Sequence, residues 1–169
     1  MSQTATRQEG IEVYETPVTF TTQKTTVSSI TDSTQTITAE ESGTIFSLNR
    51  AGGIVVTLPA AAAGLTYKFH IGTTGTGTLT INAASSADTL QGVVMIIDKD
   101  EVGGLAALNE NIDTLAFVVP AAADHQLVMS ADTKGRFIGG MVEYTCITDS
   151  KWVVTGHLFG DGTVATPFT

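Results

Sequence analysis

The stretch from Gly43 to Ile71, GTIFSLNRAGGIVVTLPAAAAGLTYKFHI, sets the class of fold this chain can adopt. Leu65, Tyr67, Phe69 and Ile71 alternate with Thr66, Lys68 and His70, which is the period of two of a strand with one buried face. Ile54, Val56 and Leu58 alternate in the same way. Pro59 removes a backbone donor and ends that run, alanines fill the corner, and Gly64 can take the positive φ that starts the next strand. Upstream, Arg50-Ala51-Gly52-Gly53 separates the Phe46/Leu48 strand from Ile54 in the manner of a hairpin loop. The unit holds no pair of carboxylates, no nucleophile beside a base and no ligand cluster.

The flanking sequence extends this pattern. Residues 1–29 are rich in Thr, Ser, Gln and Glu, yet Ile11 and Val13 alternate with Glu12 and Tyr14, and Val18 and Phe20 follow after Pro17. These read as two short β-competent stretches of an N-terminal arm that adds a strand to a partner's sheet, with a frayed tail as the plain alternative. Ile11, Val13, Tyr14, Val18 and Phe20 are the expected partner-binding residues. Ordering a chain costs about 1–2 kcal/mol per residue, so the arm is expected to order only on its partner. Residues 30–169 form the expected β domain. Gln35 to Thr38 suits a short strand, and the capping-box spacing of Thr38-Ala39-Glu40-Glu41 is set aside because strand periodicity follows it. Leu79 and Ile81 face inward from another strand, and Val93-Val94-Met95-Ile96-Ile97, without alternation, predicts burial on both faces. GLAALNENI, residues 104–112, is the one expected helix, and Phe137 to Ile147 with Trp152 to Phe159 forms a closing hairpin. The corners at Pro59 and Pro120 imply a different offset from the echo of Ala87-Asp88-Thr89 in Ala131-Asp132-Thr133, so no single repeat period exists. Together these features predict an all-β fold, a two-sheet sandwich or flattened barrel with one short helix and an extended N-terminal arm.

Composition narrows the chemistry. A net charge of -9 with only eight Lys and Arg leaves little to build a phosphate-neutralising surface, which argues against nucleic-acid binding. Cys146 is the only cysteine, so no intrachain disulfide or thiolate cluster can form, and its place beside Val142 and Tyr144 on one strand face marks a small buried residue. No run approaches the about 18 apolar residues of a membrane span, and MSQTATRQEG lacks the apolar core of a secretory signal. Gly72 to Gly77 lacks a GK[ST] ending and opens a strand rather than a helix, so it is no phosphate loop. Asp98-Lys99-Asp100 opens like a calcium loop, but Val102 falls where an oxygen ligand is needed and Asn109 where a bidentate Glu is needed. His70, His125 and His157 have no zinc spacing, and Asp124-His125 has no G-x-S-x-G serine to serve. A polysaccharide hydrolase would need two opposed carboxylates, which no pattern marks. The chain is therefore read as non-enzymatic, with no catalytic, cofactor or metal residues expected.

The run GTIFSLNRAGGIVVTLPAAAAGLTYKF, with Trp152-Val153-Val154-Thr155-Gly156, resembles small virion structural proteins of tailed bacteriophages. Head decoration, or cement, proteins of marine and cyanobacterial phages are the nearest in style, over residues 35 to 160. The resemblance implies a homo-oligomer, often a trimer, assembled in the host cytoplasm and placed on the outer capsid surface. Its partner would be the major capsid protein, and its work the bridging of capsomers to stabilise the shell. The acidic balance suits an outward-facing component. The alternative, from a different class, is a tail-fibre or receptor-binding adhesin recognising host-surface glycans through exposed aromatics; Tyr14, Tyr67, Tyr144 and Trp152 are the candidates, yet the last three lie in strands whose pattern predicts burial.

Overall fold

In the computed structural model, which describes residues 6–8, 11–13, 25–98, 115–130 and 133–169, the alternating segments become strands. β1 (Thr6–Gln8) and β2 (Ile11–Val13) pair antiparallel as a two-stranded sheet of their own. The domain follows with β3 (Val27–Ile30), β4 (Thr34–Thr36), β5 (Ile45–Leu48), β6 (Ile54–Thr57), β7 (Thr66–Ile71) and β8 (Leu79–Asn82). It ends with β9 (Thr89–Asp98), β10 (Leu115–Val118), β11 (Gln126–Met129), β12 (Met141–Thr148) and β13 (Lys151–Gly160). One sheet has seven strands in the order β10-β9-β13-β12-β7-β5-β3, and the other has four in the order β11-β8-β6-β4.

The two sheets share one core, so the fold is an all-β sandwich. Phe46, Leu48, Tyr67, Phe69, Ile71, Trp152 and Val154 enter it from the larger sheet, and Ile54, Val56, Leu79, Ile81, Leu127 and Met129 from the smaller. Each comes from the apolar half of a period-two strand, which is the pattern two facing sheets require. Within the larger sheet Phe46, Tyr67, Phe69, Tyr144 and Trp152 touch in a chain of ring contacts, from stacked Phe46–Phe69 at 5.5 Å to edge-on Phe69–Tyr144 at 5.7 Å. Tyr67–Trp152 at 5.9 Å and Tyr144–Trp152 at 6.4 Å complete the chain.

From β3 to β8 the backbone winds between the sheets, one strand in each by turns. β3, β5 and β7 stack in parallel, and so do β4, β6 and β8. This corrects the hairpin expected at Arg50-Ala51-Gly52-Gly53, because β5 and β6 lie in different sheets and the loop carries the chain across the core. Its glycines let it lie directly against the next crossing: a Cβ on Gly77 would come within 2.3 Å of the Gly53 nitrogen. The corner from Pro59 to Gly64 is the return crossing, and Gly64 takes φ +96° there. The seven-stranded sheet begins at Val27, inside the segment 1–29 read as arm.

The second half is joined differently. β12 and β13 form the expected closing hairpin, β13 runs parallel to β9, and β10 pairs antiparallel with the outer side of β9. β12 joins this half to the first by antiparallel pairing with β7.

Two further readings change. The capping-box spacing set aside above is used: residues Ala39–Glu41 form a 3-10 turn, in which the Glu41 carboxylate accepts the Thr38 N–H at 2.8 Å and the Thr38 hydroxyl at 3.2 Å. A single turn fits between two strands without disturbing their periodicity, so strand periodicity after it is no ground for setting the box aside. The run Val93 to Ile97 is buried on one face only. Val94 and Ile96 are buried, whereas Val93 is 39% exposed and Met95 and Ile97 are half-buried, because no described element lies over the outer side of β9. The expected helix at 104–112 and the calcium-like turn after Asp98 lie outside the described residues. No helix among the described residues is long and apolar enough to cross a membrane.

Candidate assembly surface

The expected arm residues divide. Ile11 and Val13 lie in β2, where Ile11 is opposite Gln8 and Val13 opposite Thr6, while Tyr14, Val18 and Phe20 lie outside the described residues. The β1–β2 pair belongs to neither domain sheet.

Of the aromatics an adhesin would use, Tyr14 lies outside the described residues, and the other three are buried as their strand pattern predicts. Tyr67, Tyr144 and Trp152 are fully buried, so none can present a ring to a sugar. The Tyr67 hydroxyl donates to the Thr38 carbonyl at 3.0 Å, and burial, with smaller contributions from Glu41, Glu40 and Cys146, pushes its phenol up to about 12. Burial alone drives the Tyr144 phenol above its ordinary range. Cys146 is buried as expected, its Sγ donates to the Thr148 carbonyl at 3.0 Å, and burial raises its pKa. A thiol so held carries little thiolate and is a packing residue.

Asp124 accepts the Ala121 N–H at 2.7 Å and closes the turn before β11, so it orients backbone rather than His125. His70 shares the outer face of β7 with Thr66 and Lys68. Among the described residues no group of three or more His, Cys, Asp or Glu side chains converges as a metal site. Arg136, which the sequence analysis did not single out, is only 1% exposed. Its guanidinium donates to the Thr73 carbonyl at 3.0 Å and the Arg50 carbonyl at 2.7 Å, and burial lowers its pKa. A Cβ on Gly75 would come within 2.6 Å of it, so that glycine makes room for the cation. A lone arginine in a loop carries no sequence signal of burial; only the neighbouring glycines hint at it.

Five of the exposed apolar side chains, Leu115, Phe117, Val119, Val93 and Met141, lie on or beside β9, β10 and β12 of the larger sheet. On β10, Leu115 is 45% exposed and Phe117 68%, and Val119 just beyond the strand is 65% exposed. Register places Leu115 opposite Ile97 and Phe117 opposite Met95 on β9, and Ile97 and Met95 opposite Phe159 and His157 on β13. Met141 of β12 follows His157, and the Phe159 ring packs edge-on to His157 at 5.7 Å. The face is bounded by Thr155 and by Glu143, which pairs with Lys68 at 3.2 Å. The run Val93 to Ile97 was the available clue to this face, but continuous apolar sequence looks the same whether its second face is covered or open.

The edges of the two sheets differ in the same sense. β4 and the middle of β3 are Thr, Gln and Ser, and the edge of β11 is covered by the C-terminal segment: Val128 donates to the Pro167 carbonyl at 2.6 Å and Gln126 to the Thr169 carbonyl at 2.9 Å. β10, Leu-Ala-Phe-Val, is the outermost strand at its end of the larger sheet. No protein-family model, curated protein or solved structure matches the chain.

Proposed function

We propose that this protein is a non-enzymatic structural component of a bacteriophage virion, a head decoration protein that binds the major capsid protein and bridges capsomers on the outer shell. The observation that supports the reading is the separation of the N-terminal strands from the domain: β1 and β2 pair with each other and join neither sheet. A β-competent segment outside its own domain's sheets is suited to strand addition on a neighbour. The domain then works as a rigid body, with an aromatic core and its polar groups committed to loops. The test is binding to expanded heads that lack the protein. Because β3 begins at Val27, the informative truncation removes residues 1–24 and spares that strand. Binding lost on this truncation, with the domain's melting temperature retained, is expected. Unimpaired binding of the truncated protein, or binding confined to tails, refutes the reading. Replacing Ile11, Val13, Val18 and Phe20 together by Ser is expected to weaken attachment in the same way.

A further inference from the structure

The guarding of sheet edges is uneven in this molecule. An exposed edge strand is a template for pairing, and sheets protect it with polar or charged residues, proline or a covering segment. β3 and β4 are short and largely polar, and β11 is covered by Pro167 to Thr169. β10, as short as β3, carries no polar or charged residue and is covered by no other described segment, and among the described residues its exposed Leu115 and Phe117 continue without a charged side chain across Ile97, Met95, Phe159 and His157.

We infer that the open edge of β10 and the apolar outer face of β9 and β10 form the surface through which this chain associates with further copies of itself. Area supports this. At roughly 150–200 Å² per large side chain, the exposed parts of Leu115, Phe117, Val119, Val93 and Met141 expose on the order of 450 Å². That falls in the middle of the about 300–600 Å² of the largest patch on a typical monomer, a patch that is often functional. With the half-buried Met95, Ile97, His157 and Phe159, it supplies more than half of the about 800 Å² that each partner contributes to a stable interface.

Charge selects the occupant. Two copies at -9 each repel through most of their surface and meet most readily where charge is absent, and among the described residues this face is uncharged as far as Glu143. A basic partner would instead be drawn to the acidic remainder of the surface. Backbone geometry agrees, since an edge strand of one copy can pair with a sheet edge of the next, as within the sheet itself.

The test is the mass of the isolated full chain by size-exclusion chromatography with light scattering, at about 100 μM, where an interface of standard size is saturated. The wild type is expected to run as a dimer or trimer. The double variant Leu115→Glu, Phe117→Glu should run as a monomer with an unchanged circular-dichroism spectrum, since both side chains are exposed. Val27→Glu is the matched control, because Val27 is 67% exposed on β3 at the opposite edge of the same sheet, and it should leave the oligomer intact. A monomeric wild type overturns the inference. So does an oligomer that survives the double variant, or one that dissociates equally with Val27→Glu or on removal of residues 1–24. None of these results bears on attachment to heads, so self-association and the decoration reading fail separately.

Discussion

The half of the domain from β3 to β8 and the half from β9 to β13 solve the same packing problem by different routes. The first uses strands of three to six residues and crosses the core after each one, so that parallel neighbours meet only after a full excursion. The second uses strands of ten, eight and ten residues in β9, β12 and β13, which share one sheet with β10, while β11 crosses to the other. Short wound strands cannot hold themselves, since each is flanked by loops rather than by the next residue of a ladder. Two devices join the halves. One is the aromatic chain running from Phe46 on β5 through β7 and β12 to Trp152 on β13. The other is Arg136, whose loop precedes β12 and whose guanidinium holds the carbonyls of two crossings of the wound half.

The largest effect should come from breaking the aromatic join. Trp152→Ala removes a fully buried side chain that contacts rings on both sides of the β7–β12 seam, and should cost about 3–5 kcal/mol. Denaturant titration should show both halves unfolding together. A separate early transition for the wound half would mean that the join, rather than the core as a whole, carries the cooperativity.

Arg136→Ala acts at the loops. It leaves the Arg50 and Thr73 carbonyls without their donor, and should cost about 2–3 kcal/mol. Amide exchange should accelerate first in residues 50–53 and 72–77, the crossings it holds. Exchange that rises equally in β12 and β13 would show that the clasp serves the whole sandwich instead.

The smallest effect separates two tyrosines on opposite sides of the seam. Tyr67→Phe removes a hydrogen bond to the Thr38 carbonyl and should cost about 1 kcal/mol. Tyr144→Phe removes a buried hydroxyl that has no hydrogen-bond partner, so it should be neutral or slightly stabilising. Both folded phenols hold their protons above pH 10, where an unfolded tyrosine ionises. The unfolded state then binds fewer protons than the native one, so stability is intact below about pH 10 and falls as pH rises toward 12, by about 1.4 kcal/mol per pH unit for each tyrosine. Urea titrations at about pH 9 and about pH 11 should show this loss, and each Phe variant should reduce it.

Strand positions were legible because alternation is a local property. Leu65 to Ile71 and Ile54 to Leu58 show it without help from the rest of the chain, and so does the pairing of Trp152 with Val154. The sheet to which a strand belongs is not local. Arg50-Ala51-Gly52-Gly53 has the composition of a hairpin loop and of a crossing alike, and Phe46 and Ile54 face the same core in either case. The repeated winding escaped notice for a related reason. Val27 is paired with Ile45 and Ile45 with Lys68, offsets of 18 and 23 residues, so the geometry recurs while the sequence keeps no period. The outer face was hidden because exposed and covered strands have the same apolar sequence. Of the arm residues, Ile11 and Val13 fall in a strand, as their spacing indicated.

The place of β13 between β9 and β12 has a consequence in time. Thr89 waits for Lys151, and Val93 for Thr155, each a gap of 62 residues along the chain. While the polypeptide is being made at about 5–20 residues per second, β9 and β12 each hold a long unpaired flank facing a slot that nothing upstream can fill. The last long strand enters as a wedge, and the larger sheet is two fragments until it does. A nascent or prematurely ended chain that stops before Lys151 is therefore left with two open flanks in the middle of its largest sheet, where aggregation competes with folding most directly.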